Sequence, residues 1–295
     1  MKVLDKLKEA TEFLKSYGID EAGRDAELII SRCLEVDRMV FYRDNPTIPE
    51  LYNAQIDEFL KRRSRREPLQ YILGYAEFHG LKIKVGPGVL IPRPETELLV
   101  EEALEKIKSQ ELQISNKEVT LYILDLCTGS GCIALAMAKE LPESRVYGID
   151  SSKVAVEYAE ENAKINMIKN VTFLKGNLFR PLEDLESEIS KLEFHLILSN
   201  PPYIKKGDIR NLEPEIKDWE PVEALDGGED GLDYFRAIIP GSKKYLKEKG
   251  YLILEIGAKQ SREIKKIAED ADFKDIFLRN DYAGICRILV AKRIL

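Results

Sequence analysis

The tetrapeptide Asn200-Pro201-Pro202-Tyr203 places an amide, two ring-locked backbone positions and a phenol side by side. Those residue types suit one kind of chemistry. A planar primary amine conjugated to a π system, such as a carboxamide or the exocyclic amine of a base, has a delocalised lone pair and is a poor nucleophile. Two acceptors can grip its N–H groups and aim the nitrogen at an electrophile. The Asn200 side-chain carbonyl is one acceptor, and the backbone carbonyl of Pro201 or Pro202 is a second. As the nitrogen attacks, it becomes more tetrahedral and more positive. Fixed carbonyl dipoles then bind it better than they bound the ground state, which is the differential interaction that speeds a reaction. Pro201 and Pro202 fix φ and remove two competing donors, and Tyr203 offers a flat face to a planar amide or base. The same four residues also make an ordinary turn after a strand, so the rest of the chain must decide.

A second candidate set lies upstream. Tyr122-Ile123-Leu124-Asp125-Leu126 leads into Cys127-Thr128-Gly129-Ser130-Gly131 and then an apolar run from Cys132 to Lys139. Strand, glycine turn and helix form the opening unit of a nucleotide-type site. Glycines let the backbone approach a ligand, and the free N–H groups of the helix start point the same way. Asp150 ends the next apolar run, nineteen residues beyond Gly131, near the roughly 20 expected of a ribose-binding carboxylate. An N-cap for the following helix is its other possible role. Gly129-x-Gly131-x-x-Ala134 also fits a dinucleotide pattern. A hydride-transfer enzyme, however, needs a proton donor near its nicotinamide. Of the two histidines, His79 and His195, one is far upstream and one falls within an expected strand.

The elements that position these residues follow from periodicity. From about residue 120, apolar runs at 121–126, 145–149, 171–174, 194–199 and 250–256 alternate with helical stretches, the mark of a largely parallel, doubly wound α/β sheet. Prolines cannot continue a central ladder, so the strand at 194–199 must end at Asn200. In such sheets ligands sit outside the carboxyl ends of the strands. Residues 273–279 and 285–291 read as a final antiparallel hairpin. Residues 1–72 read as helices: Leu4, Leu7, Ala10, Phe13 and Leu14 share one face, Ala26, Ile29, Ile30, Cys33 and Leu34 another, and Pro49 opens a third helix. Residues 75–92 alternate and carry turn glycines, as a β-hairpin does. The string Arg93 to Glu97 begins a helix to about residue 108. The loop from Lys205 to Gly231 is long enough to suggest a wall of a cleft, with Trp219 either an anchor or a packing residue.

Several strings together resemble the class I S-adenosylmethionine-dependent methyltransferases. More closely, they resemble the protein-glutamine N5-methyltransferases of the HemK/PrmC type that modify bacterial peptide-chain release factors. They are Gln70-Tyr71-Ile72-Leu73-Gly74, Val89 to Glu97, Asp125 to Ala134, Asn200 to Ile204, Glu220-Pro221, Ala224-Leu225, Gly227 to Leu232 and Leu254-Glu255-Ile256-Gly257. The resemblance covers nearly the whole chain. It implies a Rossmann-like class I methyltransferase sheet, mostly parallel with an antiparallel last strand, and a small N-terminal helical domain joined by a β-hairpin. The boundaries so implied are 1–74 for a helical substrate-recognition domain, 75–92 for the hairpin linker and 93–295 for the methyltransferase domain. It further implies that residues 127–131 wrap the methionine part of S-adenosyl-L-methionine, that Asp150 holds the ribose, and that Asn177-Leu178 border the adenine. Asn200 would touch both cofactor and substrate, and Asn200 to Tyr203 would receive the glutamine of a Gly-Gly-Gln segment. The products are S-adenosyl-L-homocysteine and a methylated class I release factor, with no metal needed. Two positions depart from the family pattern. Cys127 replaces a glycine, which requires the loop to avoid positive φ there, and Asn177 replaces an aspartate, which removes charge assistance.

Composition narrows the alternatives. The chain has 295 residues, is 33% charged and 44% hydrophobic, and carries a net charge of −7. Length suggests about two domains. No apolar run approaches the roughly 18 residues of a membrane span, and Met1 to Lys15 does not read as a targeting segment. Cys33, Cys127, Cys132 and Cys286 match no zinc or disulfide spacing, so a reducing cytoplasm is expected; the expected state is a monomer. An adenine-N6 nucleic-acid methyltransferase shares the Asn-Pro-Pro-Tyr loop but needs a basic reading surface. Only Lys61-Arg62-Arg63-Ser64-Arg65-Arg66 offers one, either as a solvated helix face or as a docking patch, so no DNA partner is expected. A cofactor-binding module without catalysis is the remaining alternative, and the intact Asn200–Tyr203 loop speaks against it.

Overall fold

A computed structural model describes residues 1–109, 120–186 and 192–294. The chain forms two compact units. The first comprises Met1–Tyr75 and Glu213–Trp219. It contains α1 (Val3–Ser16), α2 (Ala22–Leu34), α3 (Arg38–Asp44), α4 (Glu50–Ser64) and α5 (Leu69–Leu73). The expected apolar stripes form its core: Ala10 and Leu14 of α1 pack with Ala26, Ile29 and Ile30 of α2 and Ile56 and Leu60 of α4, while Leu4, Leu7 and Phe13 are half-buried around them. The short helix α3, absent from the sequence reading, starts at Asp37, whose carboxylate accepts from Met39 N–H at 2.7 Å. A capping acid signals that start; the helix is too short for periodicity to reveal it.

The basic run at the end of α4 is divided: Lys61 and Arg65 are exposed, and the other three cations are paired with acids. Arg63 is buried and donates to Asp25 at 2.7 Å and to Glu215 at 3.0 Å. Arg66 pairs with the other Glu215 oxygen at 2.9 Å, and Arg62 pairs with buried Glu67. Three of the five cations of the run are therefore spent inside the first unit. Removing one partner of a buried pair of this kind costs about 3–5 kcal/mol.

The second unit comprises Ala76–Leu212 and Glu220–Leu295. Its hairpin, β1 (Tyr75–Phe78) and β2 (Leu81–Lys84), is followed by a 3₁₀ turn at Pro94–Thr96 and α6 (Glu97–Lys108). The main sheet follows as β3 (Tyr122–Leu126), α7 (Cys132–Glu140), β4 (Arg145–Asp150), α8 (Lys153–Ile165), β5 (Val171–Lys175), α9 (Arg180–Glu186) and β6 (Phe194–Ser199). The four-residue helix α10 (Pro214–Lys217) lies in the first unit; α11 (Asp233–Tyr245), β7 (Leu246–Glu255), α12 (Ser261–Asp270), β8 (Lys274–Asn280) and β9 (Cys286–Lys292) complete the second. The seven strands run in the order β5-β4-β3-β6-β7-β9-β8, with β9 antiparallel to both its neighbours and the rest parallel. β6 is buried at every residue, as a central strand covered on both faces must be. β7 starts four residues before the expected 250, because Lys247-Glu248-Lys249 hides it; the register slips by a bulge between Phe194 and Leu196.

Read from the sequence as a linker, the hairpin packs with the second unit through Asn162 of α8. That fully buried side chain accepts from Lys84 N–H at 2.6 Å and donates to Lys84 O at 3.1 Å and Ser130 O at 3.0 Å. One amide thus joins hairpin, helix and glycine turn. The sheet reverses its winding direction between β3 and β6, which is where a ligand crevice opens in such folds.

Candidate active site

The glycine turn is built by local hydrogen bonds. Thr128 N–H donates to Ile149 O at 3.0 Å, and Gly131 N–H donates to Thr128 O at 2.8 Å. Gly129 and Gly131 have φ of +54° and +81°, a left-handed backbone that glycine adopts without a Cβ penalty. A Cβ on Gly131 would stand 2.9 Å from Ala159 and Phe173, whereas one on Gly129 would meet nothing within 4 Å. Beneath the turn, Asp125 is fully buried; its Oδ2 accepts from the Thr128 hydroxyl and from Ala134 N–H. Burial raises its carboxyl to about 7, with the Thr128 and Ala134 donors opposing. The other oxygen, Oδ1, is buried and has no hydrogen-bond partner among the described residues.

Cys127 corrects the expectation that its backbone stays at negative φ: it sits at +58°. The chain must turn sharply off β3 to reach Thr128, and the non-glycine residue takes the left-handed conformation at a cost of about 1–2 kcal/mol. Burial pushes its thiol well above the ordinary range.

Asp150 ends β4. Its Oδ2 accepts from Gly129 N–H at 2.9 Å and its Oδ1 from Ser152 N–H at 2.8 Å. A carboxylate oxygen can accept more than one hydrogen bond. The α8 cap itself is Ser152, whose hydroxyl accepts from Ala155 N–H. Burial raises the Asp150 carboxyl, with the Ser152 and Gly129 donors opposing.

Asn200 follows β6 directly. Its side-chain NH2 donates to the Thr96 hydroxyl at 3.2 Å, and Thr96 donates to Glu255 at 2.7 Å. Tyr203 OH donates to the other Glu255 oxygen at 3.3 Å. Glu255 and Thr96 are both buried. Burial raises the Glu255 carboxyl, and the two hydroxyl donors and Arg287 oppose the rise. The backbone of the tetrapeptide is clamped as well. Gln260 donates to Tyr203 O at 3.0 Å, Ile204 N–H donates to Leu225 O at 3.0 Å, and Gly227 N–H donates to Ile204 O at 2.8 Å. Gly227 fits so closely that a Cβ there would stand 2.8 Å from Tyr203 Cα and 2.9 Å from Pro202 O.

One cavity of about 280 Å³ joins the two sets. Cys127, Thr128, Gly129, Ser130, Asp150, Asn177, Leu178, Asn200 and Pro202 line it. Gly131, Pro201 and Tyr203 stand behind that wall, Tyr203 partly buried against the sheet core. Val89, Leu90, Pro92, Arg93, Thr96, Glu223 and Tyr234 also line the cavity. The resemblance implies a place beside the cofactor for the string Arg93 to Glu97, and the expected wall of loop from Lys205 to Gly231 supplies Glu223; the sequence reading placed none of Val89, Leu90, Pro92 and Tyr234 there. Arg93 is held there by buried Glu220, whose second oxygen accepts from Ile91 N–H at 3.2 Å. The donor set fits a nucleoside-bearing cofactor. An open left-handed glycine, the Asp150 carboxylate and an amide at Asn177 surround a largely apolar space.

Comparison with known proteins agrees with this geometry. A family model described as PrmC N-terminal domain matches residues 5–74, and one described as methyltransferase domain matches residues 117–287. The chain is 46% identical to a release factor glutamine methyltransferase of Thermodesulfovibrio yellowstonii, over 99% of both chains. It is 40% identical to one from Geobacter sulfurreducens, over 94% of this chain and 92% of that one. Among solved structures, human methyltransferase 10 domain containing protein matches with a TM-score of 0.51 at 18% identity, over 72% of this chain and 88% of that one. The 16S rRNA N2 G1207 methyltransferase of T. thermophilus, solved with AdoMet and guanosine, matches with a TM-score of 0.51 at 19% identity, over 74% of this chain and 49% of that one. The solved structures establish a Rossmann-like methyltransferase fold, and the full-length identities decide the family: this chain belongs to the release factor glutamine methyltransferases.

Proposed function

We propose that the chain transfers a methyl group from S-adenosyl-L-methionine to the side-chain amide nitrogen of a glutamine in class I peptide-chain release factors, in the cytoplasm. The observation that carries this reading is the single cavity bordered both by the glycine turn with Asp150 and by Asn200. The residues suited to hold the cofactor are Cys127 to Gly131 at its amino-acid end, Asp150 at the ribose, and Asn177 and Leu178 at the adenine. When bound, the cofactor supplies an electrophilic sulfonium methyl.

The protein's share is positioning. Asn200 presents its carbonyl as an acceptor for one N–H of the target amide, and the backbone carbonyl of Pro201 or Pro202 serves the other. Holding the nitrogen in line supplies roughly 7–11 kcal/mol of a barrier where the alignment is complete. The same carbonyls favour the positive charge that grows on the nitrogen. The Asp125 and Glu255 carboxyls, buried and engaged, are not called on as a general base, because the nitrogen loses its proton after methylation. The helical unit serves release-factor recognition. A nucleic-acid substrate is disfavoured by the net charge of −7 and by the internal pairing of Arg62, Arg63 and Arg66.

Mass mapping of a release factor incubated with the protein and labelled cofactor tests the proposal. One methyl on a glutamine side-chain nitrogen supports it. Label on lysine, arginine or a terminus, or on DNA alone, overturns it.

A further inference from the structure

We propose that Glu255, acting through the Thr96 hydroxyl, is the positioning residue that fixes which end of the Asn200 amide faces the cavity. The inference rests on the reading that Asn200 grips the reacting amide. An asparagine side chain has two ends of nearly equal size and opposite hydrogen-bonding character. Gripping an NH2 requires the carbonyl end. Rotated by half a turn, Asn200 would set donor against donor and repel the group it should hold.

Nothing in the tetrapeptide selects between these orientations; Thr96 and Glu255 do. Thr96 is 2% exposed and lies at the start of α6, and Glu255 is 2% exposed and ends β7. A carboxylate only accepts, so the one proton of the Thr96 hydroxyl points to Glu255, 2.7 Å away. The side of that oxygen turned to Asn200, 3.2 Å from the amide nitrogen, is then a lone pair. Only the NH2 end of Asn200 satisfies it, and the carbonyl is left for the cavity that Asn200 lines. Glu255 also accepts from Tyr203 OH at 3.3 Å, so one carboxylate orients both ends of the tetrapeptide. Neither residue reacts; both act through others.

Three variants separate orientation from packing. Thr96→Val keeps the shape and removes the hydroxyl, Thr96→Ser keeps the hydroxyl, and Glu255→Gln places a donor where only an acceptor stood. Turnover is read at saturating release factor and cofactor, and cofactor affinity separately. The second readout needs no cofactor: the ¹⁵N-resolved side-chain NH2 signal of Asn200, assigned by its absence in Asn200→Ala, and the solvent exchange of its two protons. Thr96→Val and Glu255→Gln are expected to lower kcat roughly 10- to 100-fold, as a misplaced reacting group does. Their cofactor Kd should stay within about threefold of wild type. Thr96→Ser is expected to recover kcat to within about threefold. The Asn200 proton facing Thr96 should exchange more slowly than its partner in wild type and Thr96→Ser, and equally fast in Thr96→Val. Equal loss of kcat in Thr96→Val and Thr96→Ser would assign Thr96 to packing and overturn the proposal. So would unchanged exchange in Thr96→Val. If the wild type leaves release-factor glutamine unmodified, the functional reading falls, and the exchange data alone then support or overturn the orienting role.

Discussion

The two walls of the cavity are made in different ways. The cofactor wall is local: residues 127–131 and Asp150 close on one another through backbone N–H groups donated to Ile149 O, Thr128 O and the Asp150 carboxylate. The wall around Asn200 is assembled at long range. Thr96, Asn200 and Glu255 meet across 104 and 159 residues of chain, and the backbone of the tetrapeptide is clamped by Gln260 and the returning strand of loop at Leu225–Gly227. The difference teaches where binding and turnover separate. A wall made of backbone holds a ligand whatever most side chains do. A wall made of side-chain hydrogen bonds aims a single group and is sensitive to each of its members.

Asn200→Ala gives the largest expected effect. Turnover at saturating substrates should fall by roughly a hundredfold or more, as when an oriented transition-state dipole is removed. Thermal unfolding should change little, and cofactor affinity far less than turnover. Equal losses in affinity and turnover would erase the distinction between the walls. Gly227→Ala comes next, because its Cβ would press on the backbone of Pro202 and Tyr203 at 2.8–2.9 Å. Turnover should fall roughly tenfold or more through displacement of the tetrapeptide, with about 1–3 kcal/mol of destabilisation in denaturant titration.

How far these walls can be read from sequence follows from the same difference. The glycine turn, Asp150 and the strand tips are spelled by neighbouring residues, so alternation and spacing revealed them, and Asn200 was marked by the prolines that stop β6. Thr96, Glu255 and Gly227 sit inside recognisable strings, yet their work is done on partners far away in the chain. An acid ending the buried half of β7, residues 250–255, was the available signal for Glu255. The basic run misled because the acids that neutralise Arg63, Asp25 and Glu215, are 38 and 152 residues distant. Helix α3 and the start of β7 escaped because one is shorter than two helical periods and the other begins in charged residues.

Asp150→Asn tests the cofactor wall. It removes the charge behind the proposed ribose contact, so cofactor Kd should weaken roughly tenfold or more by calorimetry. Turnover at saturating cofactor should change far less, the mirror image of Asn200→Ala. The smallest effect concerns Asp125 beneath the same wall. Its folded carboxyl titrates at about 7 against about 3.9 in an unfolded chain, so the native state binds the extra proton between those values. Stability from this group is present below about pH 4 and lost as pH rises through 7, on the order of 4 kcal/mol at most. Asp125→Asn lacks that loss. The stability difference between variant and wild type should therefore move in the variant's favour from pH 4 to 7 in denaturant titrations. A pH-independent difference would show that Asp125 is ionised in the folded protein throughout.

The central claim is that the glycine turn and Asn200 serve one bound cofactor and one target amide in a shared cavity. A crystal structure with S-adenosyl-L-homocysteine tests it most directly. The account predicts the ribose hydroxyls on Asp150, the amino-acid end along residues 127–131, and the sulfur on the side of the cavity where the Asn200 carbonyl opens. Density for the ligand elsewhere, or an Asn200 amide turned with its NH2 toward the sulfur, would contradict it.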